Sequence, residues 1–255
     1  MAKKEAVTSV IELPEVNFSD YGDVRYLHLG TEWVQGSMLM DAPYDSELAY
    51  VQRMRAGLLF VDPGAVAKKH SMQLGLGSAA LTKFCYKKLR MKTTAIEINP
   101  QVVTACRVWF KLPRDDLRLH VIGADASLEI QKPQHQATVD LLHVDLYDHD
   151  AAAPVLDSAD FYAHCYDLLA ENGSMTVNLF GRDSSYQQSL EKIAGAFGPQ
   201  ALWAFTPTRE GNTVVLAQRE PSRPERAELL LRAGDIESRW GLPAKKWLRL
   251  FRPIA

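Results

Sequence analysis

Apolar and polar positions change rhythm once along this chain, near residue 45, and the two rhythms predict two kinds of structure. Before that point the pattern alternates. TSVIEL, bounded by Pro14, then VRYLHL, then WVQGSMLM beyond the Gly30-Thr31 turn carry β-branched or aromatic residues at alternating places. Such alternation buries one face of a strand, so residues 1–45 are predicted to form a small N-terminal β-module of hairpins. From Ser46 the apolar positions Leu48, Val51, Met54, Leu58 and Leu59 recur at threes and fours until the Pro63-Gly64 break. That spacing puts them on one helical face, and the helix joins the module to the main body.

From Ser71 to about residue 220, short apolar runs take turns with amphipathic stretches, which predicts a parallel sheet covered by crossover helices. HSMQLGLG reads as a strand entering a glycine turn, Ala79 to Leu89 as a helix and KTTAIEI as a second strand. Pro100 to Phe110 is a helix with proline at its first position, LRLHVI a third strand, and a short helix follows Asp125. VDLLHVDL is the fourth strand, and Asp157 or Ser158 caps a helix through Phe161, Tyr162, Cys165, Leu168 and Leu169. Gly173 leads into SMTVNLF as the fifth strand, and a helix runs from Ser184 to Phe197. ALWAFTP and NTVVLAQ flank a TREG link too short for a crossover helix, so they are predicted to be antiparallel neighbours. In the tail, residues 221–255, one helix is expected from Pro224 to Ala233, stopped by Gly234.

Composition narrows the class of molecule. With 47% apolar and 24% charged residues, the chain has the material for a globular core, which excludes disorder and collagen-like fibres. Lys+Arg total 29 against 31 Asp+Glu, so no chain-wide positive field favours nucleic acid. Three cysteines, Cys85, Cys106 and Cys165, lie far apart without a C-x-x-C pair, so neither a disulfide framework nor a zinc site is expected. Their helical, apolar settings suit small buried thiols, and Trp109, Phe110, Phe161, Tyr162 and Phe197 at helical spacing suit the core. No stretch has the continuous apolar character of a membrane span or export signal, and a cytoplasmic home is the simplest expectation.

Candidate chemistry gathers where the strands meet their following loops, the ligand-binding edge of an open α/β sheet. After the first strand stands Gly75-Leu76-Gly77-Ser78-Ala79-Ala80, where glycines let backbone turn tightly and approach a ligand. On its own that motif fits nicotinamide, flavin or adenosylmethionine sites, or a plain tight turn. About 20 residues on, Glu97 can accept two hydrogen bonds from vicinal ribose hydroxyls, which points to an adenosine-containing ligand. Asp125, followed by Ala126 in GADA, fits two roles: accepting from an adenine amino group, or capping the next helix. The run from Asp140 to Asp150 concentrates acids, with Asp145 at the strand end and Asp148 beyond it, suited to holding a cationic amine and taking its proton. A metal held by His143, Asp145, Asp148 and His149 is the lesser alternative, since ligands must converge as well as adjoin.

Five parallel strands with helices and then an antiparallel pair resemble the class I S-adenosylmethionine-dependent methyltransferase fold, a Rossmann-like, mostly parallel seven-stranded α/β sheet. Within that fold, residues 25 to 218 resemble the polyamine aminopropyltransferase family, that is, spermidine synthase and its relatives. Gly75 to Ala80 stands where the family has G-G-G-D-G-G, Glu97 in AIEIN where it has V-E-I-D, and Asp125 where it has G-D-A/G. Asp140 to Asp148 stands where it has D-V-I-x-x-D-x-x-D; Gln35 resembles the glutamine of L-D-G-x-x-Q, and Tyr50 the tyrosine of D-E-x-x-Y. The resemblance implies decarboxylated S-adenosylmethionine as donor, methylthioadenosine as product and an amine such as putrescine as acceptor. It assigns Asp145 as the catalytic acid-base residue, Gln35, Gly75, Gly77, Glu97, Asp125 and Ala126 to the donor, and Tyr50 and Asp148 to the amine. It also implies a homodimer.

Departures fall on the substrate side. Ser78 replaces the family's loop aspartate, Gln52 stands where a glutamate would, and Arg209 in PTREG replaces a substrate-facing tyrosine. An inward arginine would repel a diamine, whereas a hairpin arginine in solvent would not. Two other functions share the nucleotide site: an S-adenosylmethionine-dependent methyltransferase of unknown acceptor, and a non-catalytic relative that binds an adenosine metabolite.

Overall fold

The computed structural model describes residues 13–147, 156–180 and 183–254. The chain starts with an antiparallel sheet of three strands, β1 (Val16–Tyr21), β2 (Val24–Leu29) and β3 (Gly36–Leu39), in that order. VRYLHL and the end of WVQGSMLM therefore form strands as expected, and TSVIEL lies almost wholly outside the described residues. β1 carries the sequence VNFSDY, which the alternation reading passed over. Its side chains are mostly exposed, so burial leaves little pattern to read.

The 46–59 stretch forms a helix in two pieces. α1 (Ala49–Arg53) is followed by a 3-10 segment, Ala56–Phe60, which buries Leu58 and Leu59 against the sheet. Then come β4 (His70–Leu74), α2 (Ala80–Lys87), β5 (Lys92–Glu97), α3 (Pro100–Val108), β6 (Leu119–Gly123) and α4 (Ala126–Glu129). β7 (Val139–Val144), α5 (Ala159–Leu168), β8 (Leu169–Phe180), α6 (Asp183–Phe197), β9 (Leu202–Phe205) and β10 (Asn212–Gln218) complete the alternating region. Local chemistry sets several starts: Asn99 accepts from the Gln101 amide ahead of Pro100, and Ser158, not Asp157, caps α5 by accepting from the Phe161 amide.

The main sheet has the order β11 (Phe251–Pro253), β9, β10, β8, β7, β4, β5, β6, eight strands where seven were expected. β4 to β8 pair in parallel, while β10 is antiparallel to both β8 and β9, as the short TREG link required. The additional strand is β11 (Phe251–Pro253), supplied by the tail and antiparallel to β9. Two tail helices precede it, α7 (Arg226–Trp240) and α8 (Ala244–Leu250). The single short helix expected there is thus corrected: α7 passes straight through Gly234 and ends at Gly241, whose φ of 71° provides the left-handed turn.

Two apolar layers sandwich the main sheet. One joins Leu58, Leu59, Phe84, Val214 and Leu216 to Trp247 and Phe251 of the tail. The other joins Leu142, Val144, Met175 and Val177 to Tyr162, Leu168, Ile193 and Phe197. A third cluster packs Leu27 and Met38 of the small sheet onto Val102, Cys106 and Phe110. All three cysteines are buried thiols. Among the described residues no helix is long and apolar enough to cross a membrane.

Candidate active site

One backbone hydrogen bond beyond each of several strands draws the loops together. The Asp145 amide donates to the Leu74 carbonyl, the Gly75 amide to Ile96 and the Ala124 amide to Glu97, at 3.0 Å each. The carboxyl ends of β4, β5, β6 and β7 are thereby stitched into one rim, carrying Gly75, Gly77, Glu97, Asp125, Ala126 and Asp145. β3 approaches the same rim: the carbonyl of Gln35 lies 3.0 Å from where a side chain on Gly77 would begin.

Gly75 is dictated by the closeness of the backbone beyond β7. Its φ is 81°, and a Cβ there would collide with the carbonyl oxygen of Asp145. Buried Gln73 braces the turn: its Nε2 donates to the Gly75 carbonyl at 2.6 Å while its Oε1 accepts from the Thr82 amide at 3.0 Å. Ala79 takes a left-handed φ of 59°, in the place where the family motif has glycine. Ser78 turns away from the rim, its hydroxyl donating to the Ser37 carbonyl at 2.9 Å, so this side chain fastens the loop to the small sheet.

Glu97 is buried and accepts from the amides of Leu76 at 2.9 Å and Asn99 at 2.8 Å. Burial raises its pKa above the ordinary carboxylate value, and the backbone amides oppose that rise. Each oxygen retains acceptor capacity, so the carboxylate can shape the glycine turn and still receive hydroxyls. Asp125 caps α4: its Oδ1 accepts from the amide and the hydroxyl of Ser127, both at 2.7 Å. The capping role is therefore real, and it engages one carboxylate oxygen. Ala126, first in α4, is buried.

Asp145 is the focus. Its half-buried carboxylate accepts from Asn178 Nδ2 at 3.0 Å and from the Tyr50 hydroxyl. Burial lifts its pKa from 3.8 to about 6, with these two donors pulling the other way. Burial together with the negative charge of Asp145 pushes the Tyr50 hydroxyl well above 10, so it stays a donor. Tyr147 donates to the carbonyl of Asn178 at 2.7 Å. Asn178, Tyr147 and Gln73 escaped the sequence reading: Asn178 stood inside an apolar strand, and only the β7–β8 register shows that it faces Asp145.

Other candidates resolve differently. Asp140 sits at the far end of β7, bound to Lys69 at 2.8 Å and to the His70 amide. His143 lies one layer beneath Asp145 on the same strand face, bonded to Thr176 at 2.9 Å and beside Cys85. Burial holds its pKa near 3, and its ring is committed to the core, which removes it from the metal set. Among the described residues no group of three acids, histidines or cysteines converges to hold a metal. Gln52 donates to the Ser46 carbonyl at 2.7 Å, and Arg209 is exposed on the hairpin between β9 and β10. Asp148, His149 and Asp150 lie outside the described residues.

No family model matches the chain. A polyamine aminopropyltransferase of Chromobacterium violaceum is 32% identical over 236 residues, covering 92% of this chain and 88% of that protein. A probable spermidine synthase from Corynebacterium glutamicum superposes with a TM-score of 0.72 at 18% identity, covering 94% of this chain and 87% of the other. Human methyltransferase-like protein 13, solved with SAH, superposes at 0.67 and 21% identity, covering 76% of this chain and 93% of its own. Likeness at those lower identities speaks for the shared methyltransferase-type fold, in which the glycine turn, Glu97 and the β7 acid occupy consecutive strand ends. The full-length identity goes further: the chain belongs to the polyamine aminopropyltransferase family.

Proposed function

We propose that the protein transfers the aminopropyl group of decarboxylated S-adenosylmethionine to putrescine or a related amine, releasing methylthioadenosine. The observation that carries this reading is the Asp145 carboxylate, set beside the glycine turn with a pKa lifted to about 6. An alkylammonium loses its proton only near pH 10, so its nitrogen has no lone pair at neutral pH. Raising the carboxylate from 3.8 toward 6 narrows the gap across which the proton must move, while Tyr50 and Asn178 keep the group ionised at neutral pH.

Proton and electron bookkeeping is simple. Asp145 takes a proton from the bound ammonium, and the freed nitrogen lone pair attacks the aminopropyl carbon attached to the sulfonium. The C–S bond breaks, its electron pair neutralises sulfur, and methylthioadenosine leaves. In this reading Gly75 and Gly77 border the aminopropyl-thio end, Glu97 accepts from the ribose, and Asp125 with Ala126 flanks the adenine. Gln35 lies against the donor, and Tyr50 and Asp148 meet the amine. Residues 1–45, 46–220 and 221–255 act as small sheet, catalytic body and tail, in a cytoplasmic homodimer.

The committed hydroxyl of Ser78 favours keeping the methyltransferase in view, because this position offers the donor's amino group no carboxylate. One assay separates the two: purified protein with putrescine and either decarboxylated or intact S-adenosylmethionine, products read by mass spectrometry. Spermidine and methylthioadenosine from the decarboxylated donor alone, lost in Asp145→Asn, are the expected outcome. S-adenosylhomocysteine from the intact donor would overturn the reading, and no turnover of either donor would leave the non-catalytic relative.

A further inference from the structure

Asp145 is held by an amide whose own orientation is decided elsewhere. Asn178, 4% exposed on β8, can present its NH2 to an ionised Asp145 or its oxygen to a protonated one. Asn212 on β10 settles the choice, because its Nδ2 donates to Asn178 Oδ1 at 3.2 Å. With its oxygen engaged, Asn178 turns Nδ2 toward Asp145 Oδ1 at 3.0 Å. Asn212 is itself clamped at the hairpin base, its amide donating to Thr208 Oγ1 at 3.2 Å and its carbonyl accepting from the Thr208 amide at 2.8 Å. The Tyr147 hydroxyl fixes the Asn178 backbone from the other side at 2.7 Å.

We propose that Asn212 and Asn178 form a positioning relay, in which the β9–β10 hairpin base dictates that Asp145 is met by a hydrogen-bond donor rather than an acceptor. The proposal rests on reading Asp145 as the base. Its consequence is a carboxylate ionised at working pH, with Oδ1 held by the Asn178 amide. Around Asp145, Tyr50 arrives from α1, Tyr147 from the end of β7, Gly75 as backbone from β4, and Asn178 from β8. Tyr50 is the titratable group that bonds the carboxylate among the described residues, and its raised pKa keeps it a neutral donor at pH 7. Neither asparagine touches the reacting atoms, so both are positioning residues.

The test titrates Asp145 directly, by carboxyl 13C NMR of protein labelled at aspartate, the resonance assigned by its absence in Asp145→Asn. Removing the donor in Asn178→Ala is expected to raise the Asp145 midpoint by about one pH unit, the scale of a charge-assisted hydrogen bond. Asn178→Ser, with a shorter donor, falls between. Asn212→Asp offers an acceptor instead of a donor, so the Asn178 amide turns over and aims its oxygen at Asp145; a comparable rise is expected. Asn212→Ala leaves the amide free to keep donating and shifts the midpoint much less.

A double variant separates relay from simple charge. If Asn212→Asp acts through the amide, adding it to Asn178→Ala changes nothing further, whereas a direct charge effect adds in full. The acid limb of kcat against pH moves with the NMR midpoint, while KM for the donor holds. An unmoved midpoint in Asn178→Ala, or full additivity in the double variant, overturns the relay. Wild-type protein that titrates as expected but makes no spermidine sinks the proposed function and leaves the relay standing.

Discussion

At the scale of single residues, Asp145 combines two properties that pull against each other. A carboxyl with a folded pKa near 6 and an unfolded value near 3.8 is destabilising when ionised. The sign follows: below pH 4 the group is neutral in both states and costs nothing, and the cost grows as pH rises to about 6, then stays constant. Asp145→Asn should therefore melt higher than wild type at pH 7.5, by up to about 3 kcal/mol, with the advantage gone near pH 4. Calorimetric melts at the two pH values check this. Activity has the opposite dependence. In the proposed mechanism turnover needs the carboxylate ionised, so kcat should fall tenfold per unit as pH drops below about 6, and Asp145→Asn should lose about 10²-fold or more at neutral pH. A few ångströms away, Gly75→Ala should cost about 3 kcal/mol and most activity, because its Cβ meets backbone rather than a yielding side chain. Such residues were legible in sequence because glycine and acid recur at strand ends for chemical reasons. Asn178 was not: an asparagine in an apolar strand announces nothing until the register pairs His143 with Thr176 and carries Asp145 alongside it.

Elements were legible where one face is buried and obscure where none is. β4, β5 and β7 form close to expectation, and each is buried on both faces, the mark of a central parallel strand. β1 escaped because it buries almost nothing. In the tail, Gly234 looked like a stop signal, yet a side chain there would meet only the end of Lys245 at 3.6 Å, and helix propensity lost its vote to the apolar stripe through Leu229, Ala233 and Ile236. One glycine inside the helix and one at its end thus make opposite predictions. Gly234→Ala should stabilise the protein by about 0.5–1 kcal/mol by improving helix propensity, while Gly241→Ala, at φ 71°, should cost about 1 kcal/mol. Paired denaturant titrations read both, and equal effects would show that tertiary packing, not backbone preference, governs this helix.

For the molecule as a whole, the tail is part of the core. Phe251 stacks on Trp203 at 5.2 Å, Trp247 is buried, and Arg232 and Arg239 donate to the carbonyls of Leu59 and Pro63. A chain ending at residue 220 should therefore lose its cooperative thermal transition, with Trp203 fluorescence shifted toward that of solvated indole. No periodicity could foretell this, because Arg232 and Arg239 reach residues more than 150 positions away. The rim itself divides by material. In the proposed reaction its donor half would be made largely of main chain: the turn at Gly75, the amides of Leu76 and Asn99, the carbonyls of Leu74 and Ile96. Its acceptor half would be made of side chains from separate elements, Tyr50 and Asp145, backed by Asn178 and Asn212. Heritable change reaches these halves unequally. A point mutation exchanges a side chain in one step but cannot remove a peptide group, so lineages built on this scaffold should keep one nucleotide and wander among amines. A saturation library scored for product identity would show that asymmetry within one round of selection.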